Sequence, residues 1–185
     1  KKVKLDMIKF YDLIAAEKEA LMLPSIAPEV AQMFQGKLDA LDGTGAKIKL
    51  CRAELKDPAR KNYFRMIAAM DFLIDTLAED ALEDLLPYLG HEYWRLREHS
   101  QKLARELVTI GAEDRLASLF AGTKDADSAV GILEVFADSD SDLGLDLAKG
   151  SMAHENPAVR QAAVKAAFAL GGDEFLPQVL AHLEA

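Results

Sequence analysis

The sequence predicts an all-α protein, and three observations lead to that fold class. Apolar residues recur at the i, i+3, i+4, i+7 spacing that places them along one stripe of a helix. The first such stripe comprises Val30, Met33, Phe34, Leu38 and Leu41. Glycine directly follows several predicted helices, where it takes the left-handed conformation of a helix end without steric cost. No alternating run of β-branched or aromatic residues is bounded by hairpin signals, so we predict no strand.

Capping signals divide the first part of the chain into helices. Asp42-Gly43 ends the first helix, and Thr44 is placed to cap the second. The apolar face of that second helix comprises Ile48, Cys51 and Leu55. Asp57-Pro58 then ends it and starts a long helix to Leu77, because a proline at the first helical position loses no hydrogen bond. The wide apolar face of this long helix must be covered on two sides.

The same pattern of helices and short turns continues to the end of the chain. The further predicted helices are 80–89, 94–110, 113–121, 125–137, 141–152, 156–170 and 173–184. Helix 156–170 is so rich in alanine that neighbouring helices can approach it closely on both flanks. Because such a helix buries little by itself, we expect it to be sandwiched between 141–152 and 173–184.

Internal similarity indicates a repeated unit. The stretch 107–120 matches 167–180 in its apolar end, glycine, acidic residue and following leucine, and a weaker copy has Asp138 in place of the glycine. His91-Glu92 precedes one helix as His154-Glu155 precedes another, and Arg97 and Arg160 follow at the same distance. The equivalent points Gly111, Asp138 and Gly171 lie 27 and 33 residues apart. That spacing is the length of a short helical hairpin with its turns.

The segment from Asn156 to Gly171 resembles the second helix of a HEAT repeat of the short, phycobilin-lyase-like kind. The resemblance is clearest in residues 91–185. It implies an α-solenoid in which antiparallel helix pairs stack into a right-handed superhelix, with the second helix of each pair lining the concave side. We therefore expect a HEAT-like repeat array over residues 57–185, with residues 1–56 forming an N-terminal helical segment packed on the array.

The distribution of charge and of apolar residues limits the classes of partner. The chain carries 22 Lys/Arg and 31 Asp/Glu, for a net charge of -9, and residues 63–185 alone carry -12. An acidic surface is unsuited to neutralising phosphates, so we expect no nucleic-acid partner and favour a basic or mixed-charge protein. No apolar run approaches a membrane span, and no signal peptide is evident. A single cysteine, Cys51, favours a reducing compartment, and we predict a cytoplasmic protein.

Three patterns that could carry chemistry have structural interpretations. The two His-Glu pairs are similar to the metal-binding motif of deoxyhypusine hydroxylase, but that motif lies inside helices and these pairs lie in turns, where they serve as caps. The acidic run 138–142 opens like a calcium loop, yet Leu143 replaces the required glycine and Lys149 the required glutamate. A serine or aspartate that caps the next helix explains this run better. Cys51 lies on an apolar stripe and is interpreted as a buried small hydrophobe.

We predict a non-catalytic interaction module or scaffold that binds a protein or peptide through the groove of the solenoid. Aromatic and polar residues near the starts of two second helices are the candidate binding residues: Tyr93, Trp94, Arg97, Gln101, Arg160 and Gln161. Structural roles compete with this interpretation, since the aromatic pair can pack between repeats and the arginines can pair with carboxylates of adjacent turns. No catalytic residue, cofactor or metal ligand is assigned.

Two alternatives to this interpretation stay open. The chain can instead be a HEAT-like enzyme or a chaperone-type factor, similar to a phycobilin lyase or to a His-Glu metal hydroxylase. The predicted C-terminal helix also leaves an apolar face without an evident cover, which either contacts another molecule or is covered by further repeats. That face comprises Leu176, Val179, Leu180 and Leu183.

Overall fold

The computed structural model describes residues 27–56 and 63–172, and the regular structure within those ranges is entirely helical. The prediction of an all-α protein is confirmed. The chain divides into two compact units, residues 1–76 and 77–185, which are described separately. Across the two described ranges, no helix is both long enough and apolar enough to cross a membrane.

The first unit contains α1 (Ala27–Asp39), α2 (Thr44–Leu55) and α3 (Tyr63–Leu77), which ends at the boundary between the units. Phe34 and Leu38 of the predicted stripe on α1 are buried, whereas Met33 is 41% exposed. Cys51 is fully buried on α2, as predicted. The prediction that Thr44 caps α2 is wrong. The N-cap is Gly43, whose φ of 82° suits glycine and strains a residue with a Cβ. The predicted cap at Asp57-Pro58 lies outside the described residues.

The second unit begins with a 3₁₀ turn, Ala78–Ala81, at which Ala78 has a positive φ of 50°. This turn and α4 (Leu82–Leu89) replace the single predicted helix 80–89. The helices that follow are α5 (Trp94–Thr109), α6 (Glu113–Gly122), α7 (Ala126–Ala137), α8 (Asp142–Ser151) and α9 (Pro157–Gly171). Each of these five starts within one residue of its predicted start.

The helices of the second unit contact one another in a regular order. Each pair of consecutive helices packs together as a hairpin: α4 with α5, α6 with α7, and α8 with α9. Contacts also join every second helix, which defines two rows. The first row is α4, α6 and α8, and the second row is α5, α7 and α9. The hairpins therefore lie side by side in the order in which they occur in the sequence.

Glycine allows the closest approaches between these helices. A Cβ atom at Gly131 of α7 would lie 2.3 Å from the carbonyl carbon of Leu89 in α4. A Cβ atom at Gly90 would lie 1.9 Å from the carbonyl oxygen of Asp127. Only residues without a side chain fit at these two positions, so the contact between α4 and α7 is made directly by backbone atoms.

The alanine-rich helix α9 packs against both α7 and α8. Its buried face comprises Val159, Ala162, Ala163, Ala166 and Ala167. These residues share one apolar cluster with Ala129 and Leu133 of α7 and with Ala148 and Met152 at α8. The predicted contact of this helix with 141–152 is confirmed, and its predicted contact with 173–184 lies outside the described residues.

Candidate functional site

The turns before α5 and α9 have the same local structure. In each turn, the histidine Nδ1 atom accepts a hydrogen bond from the backbone N–H of the N-cap residue two positions later, at 3.0 Å in both cases. The histidines are His91 and His154, and the N-cap residues are Tyr93 and Asn156. Nδ1 of each histidine therefore serves as the hydrogen-bond acceptor that fixes the N-cap amide.

An arginine from the first turn of the following helix closes each of these turns. Arg97 Nη1 donates to the carbonyl oxygens of His91 at 2.7 Å and Glu92 at 3.3 Å. Arg160 Nη1 donates to the carbonyl oxygens of His154 at 2.8 Å and Glu155 at 2.9 Å. Carboxylates of adjacent turns were predicted as the partners of these arginines, whereas the acceptors are backbone carbonyls. The repeated His-Glu and Arg residues thus form one motif that holds a turn.

The turn before α7 keeps this backbone with different side chains. Its N-cap Asp125 has φ and ψ of -83° and 119°, close to -78° and 110° at Tyr93 and -81° and 124° at Asn156. Thr123 Oγ1 replaces the histidine and accepts from the N–H of Asp125 at 3.2 Å. Counting from the N-cap, Ala129 occupies the position of the arginine.

The six candidate binding residues occupy different environments. Tyr93 is buried, which fits packing, whereas Trp94 is 42% exposed with the Arg95 guanidinium 5.0 Å from its ring centroid. Gln101 is buried, and its Nε2 donates to the Leu89 carbonyl and to Glu134 Oε2, each at 2.7 Å. Gln161 is exposed on α9.

The candidate binding residues lie on two helices of the second row, and α7 packs between those helices. Tyr93, Trp94, Arg97 and Gln101 lie on α5 or at its N-cap, Arg160 and Gln161 lie on α9, and α7 contacts both helices. Two side-chain bonds join α5 to the α7 segment: Gln101 to Glu134, and Arg105 Nη1 to Asp138 Oδ2 at 2.9 Å. The second of these pairs is largely exposed and adds little stability, but together the two bonds keep α5 and α7 in register.

A cavity of about 350 Å³ lies between the turn before α7 and the turn before α9. It is lined by residues 123–126, Ala129 and residues 154–156. This volume is at the lower end of the range for sites that hold small ligands or single side chains. This cavity was not predicted from the sequence. The sequence does contain a signal for it, because Ala129 occupies the position at which the two similar turns have arginine.

The residues considered for chemistry have structural partners. Ser141 is the N-cap of α8, and its hydroxyl accepts from the N–H of Gly144 at 3.0 Å, which confirms that the run 138–142 provides a cap. Ser141 Oγ also bonds to Glu113. Within residues 27–56 and 63–172, no group of three or more His, Cys, Asp or Glu side chains is arranged to hold a metal ion.

Cys51 lies in the interior of the first unit, and its environment disfavours the thiolate. Burial raises the pKa of this thiol to about 11, and the nearby Glu54 carboxylate adds to the shift. Because the thiolate is the nucleophilic form, the thiol is unreactive near neutral pH. Glu54 itself is buried beside Arg65, with an oxygen 3.5 Å from Arg65 Nε.

Comparison of the chain with protein-family models, with curated proteins and with solved structures finds no match. The candidate site is therefore defined by the geometry of the turns, the second row and the cavity alone.

Proposed function

We propose that the protein is a non-catalytic interaction module, a short HEAT-like solenoid that binds a protein or peptide along its second row. The observation that carries the proposal is the repeated order of contacts in the second unit, in which α5, α7 and α9 follow one another as neighbours. Stacked hairpins of this kind present one continuous surface built from the same helix of each pair. Such a surface recognises an extended partner by its shape and charge.

The side chains exposed on the second row suit contact with another protein. Trp94 is 42% exposed and Phe168 is 46% exposed, and exposed aromatic residues often anchor protein interfaces. Lys102, Gln161 and Lys165 add exposed polar groups on the same helices. Residues 77–185 contain 9 Lys/Arg and 20 Asp/Glu, so the second unit has a net charge of -11 and favours a basic partner by electrostatic steering.

Arg97 and Arg160 contribute to this surface indirectly. Each guanidinium already donates to two backbone carbonyls, so charge reversal at either position would disturb a turn as well as any interface. A test of the surface therefore needs exposed residues that do not hold the fold. Trp94, Lys165 and Gln161 meet that requirement better than the two arginines.

The experiment is affinity capture with the full chain and its surface variants. We expect Trp94→Ala combined with Lys165→Glu to reduce capture of a specific partner at least tenfold, because both changes alter the second row. Lys149→Glu on α8 is the matched control, since it makes the same charge change on the first row. Equal capture by all three proteins would refute binding along the second row. Absorption spectra and elemental analysis of the purified protein test the alternative of a bilin-binding or metal-dependent factor.

A further inference from the structure

The cavity between the turns before α7 and α9 corresponds to a position that arginine fills elsewhere in the chain. In the turns before α5 and α9, the arginine guanidinium donates to the carbonyl oxygens of the two residues preceding the N-cap. In the turn before α7, those two residues are Thr123 and Lys124. Among the residues that the structure describes, no side chain donates to these two carbonyl oxygens. The residue in the position of the arginine is Ala129, and it lines the cavity.

The spacing of the turns leaves room for a side chain from outside. Gly90 stands three positions before the N-cap of α5, and a Cβ atom there would clash with the Asp127 carbonyl oxygen at 1.9 Å. Gly122 stands three positions before the N-cap of α7, and a Cβ atom there would meet no atom within 4 Å. The end of α4 at Gly90 is therefore in direct contact with the first turn of α7, whereas the space around the equivalent residue Gly122 is open.

We propose that this cavity binds an arginine side chain of a protein partner. The guanidinium donates to the carbonyl oxygens of Thr123 and Lys124, as Arg97 and Arg160 do to their own turns. This inference rests on the proposed function, because the arginine belongs to the partner that the second row binds. In both reference turns one guanidinium nitrogen, Nη1, donates to the two carbonyls. The planar guanidinium fixes the directions of its N–H groups, whereas the N–H groups of the lysine ammonium rotate freely.

The charges and donors around the cavity favour a cation over an anion. Asp125 and Glu155 contribute carboxylates to the lining and Lys124 contributes an ammonium group, so the carboxylates outnumber the lysine by one, and the unit as a whole is acidic. The Arg160 guanidinium lies beside the same wall, where the carbonyl oxygens of His154 and Glu155 accept from it. Helix N-termini ordinarily attract anions. Here, however, the N–H of Ser128 donates to Asp125, the N–H of Ala158 donates to Asn156, and Pro157 has no N–H. Arg160 demonstrates that a guanidinium is accommodated at the start of a helix in this chain when two carbonyls accept from it.

The test is a titration of the isotopically labelled full chain, followed by backbone amide NMR signals. The probes are the peptides acetyl-Gly-Arg-Gly-amide and acetyl-Gly-citrulline-Gly-amide, with methylguanidinium and methylammonium chloride as minimal analogues. We expect the arginine peptide to shift the amides of residues 123–126 and 154–156, with an affinity at least tenfold above that of the citrulline peptide. Equal responses to the two peptides, or stronger shifts with inorganic phosphate, would overturn the proposal.

A variant that fills the cavity from within provides the second measurement. Ala129→Arg supplies the missing guanidinium, so we expect it to abolish the shifts caused by the arginine peptide and to raise the unfolding temperature. Ala129→Leu is the control that fills space without donating hydrogen bonds, and it should lower stability. If Ala129→Arg does not fold, the comparison of the two peptides on the wild-type chain decides the matter.

These results separate the arginine site from the proposed function. Loss of partner capture in the Trp94 and Lys165 variants, with no response to the arginine peptide, would overturn the cavity proposal and leave binding along the second row intact. Conversely, a specific response to the arginine peptide with unchanged capture by those variants would support the cavity and refute the second row as the docking surface.

Discussion

The packing of α7 against α4 is tested most directly at Gly131. In Gly131→Ala, the new methyl group would lie 2.3 Å from the carbonyl carbon and 2.4 Å from the carbonyl oxygen of Leu89. Backbone atoms cannot rotate away as a side chain does, so the two helices must separate by about 1 Å to restore ordinary contact distances. Overpacking of this kind costs about 1–3 kcal/mol, and a clash with the main chain belongs at the upper end of that range.

The gain in helix propensity offsets part of this cost. Replacing glycine by alanine within a helix stabilises it by about 0.5–1 kcal/mol. We therefore expect Gly131→Ala to lower the free energy of unfolding by about 2 kcal/mol, which corresponds to a fall of roughly 8–16 °C in Tm for a unit of this size. The measurement is thermal and urea unfolding followed by circular dichroism at the helical minimum.

Gly150 supplies the matched control for this substitution. It lies in the last turn of α8, and a Cβ atom there would meet nothing within 4 Å. Gly150→Ala should therefore leave stability unchanged or raise it by up to about 1 kcal/mol. If Gly131→Ala proved as stable as the wild type while Gly150→Ala behaved as expected, the close contact between α4 and α7 would be refuted, and with it the order of the two rows.

Four further predictions concern three residues. Arg160→Ala should reduce the free energy of unfolding by about 1–3 kcal/mol, because two backbone carbonyls lose their donor. Arg160→Lys should reduce it by less, since lysine keeps the charge but not the fixed directions of the guanidinium N–H groups. Equal urea midpoints for the wild type and both variants would contradict the role of Arg160 in its turn. Ser141→Ala should reduce the free energy of unfolding by about 1 kcal/mol through loss of the α8 cap. Ser118→Ala is the control, because it removes a hydroxyl that bonds only within α6, and it should change Tm little. An equal loss of stability in both variants would contradict the capping role of Ser141. Because the folded Cys51 thiol has a pKa of about 11, its alkylation at pH 8 should be about a hundredfold slower than in the urea-unfolded chain. Mass spectrometry measures both rates, and equal rates would exclude burial of Cys51. For the same reason the unfolded thiol ionises first as pH rises, so stability should fall between about pH 9 and pH 11, and Cys51→Ala should lack that fall.

Local capping signals explain why the helices of the second unit could be predicted from the sequence. Asp125, Ser141 and Asn156 each accept a backbone N–H as the N-cap of a helix, and each was predicted as the first residue of that helix. Such a cap involves residues two or three positions apart, which the sequence displays directly. Gly43 shows the limit of this reasoning. Thr44 is a good capping residue, yet Gly43 with its positive φ is the N-cap, and Thr44 is the first helical residue.

Contacts between distant residues could not be predicted in this way. Gln101 is buried because its amide bonds to Leu89 and Glu134, which lie 12 and 33 residues away. From sequence alone, a glutamine in the middle of an amphipathic helix indicates a solvent-exposed position. The acceptors of Arg97 were missed for a related reason, because a charged side chain suggests a charged partner and the carbonyls of its own turn carry no signal in the side-chain pattern.

A separation of about 33 residues recurs in the polar contacts between neighbouring helices of the same row and gives a physical meaning to the repeat. Gln101 with Glu134 and Arg105 with Asp138 are both 33 residues apart, and Arg115 with Glu83 is 32 apart. A side chain on one hairpin thus contacts the equivalent helix of the next hairpin, so complementary polar side chains at the repeat length hold neighbouring hairpins in register. Polar pairs at this spacing are invisible to a search for apolar periodicity, yet they follow once a repeat length is known. The same comparison of equivalent positions identifies Ala129 as the exception. The turn before α7 has the same backbone shape as the turns before α5 and α9, but it lacks their arginine.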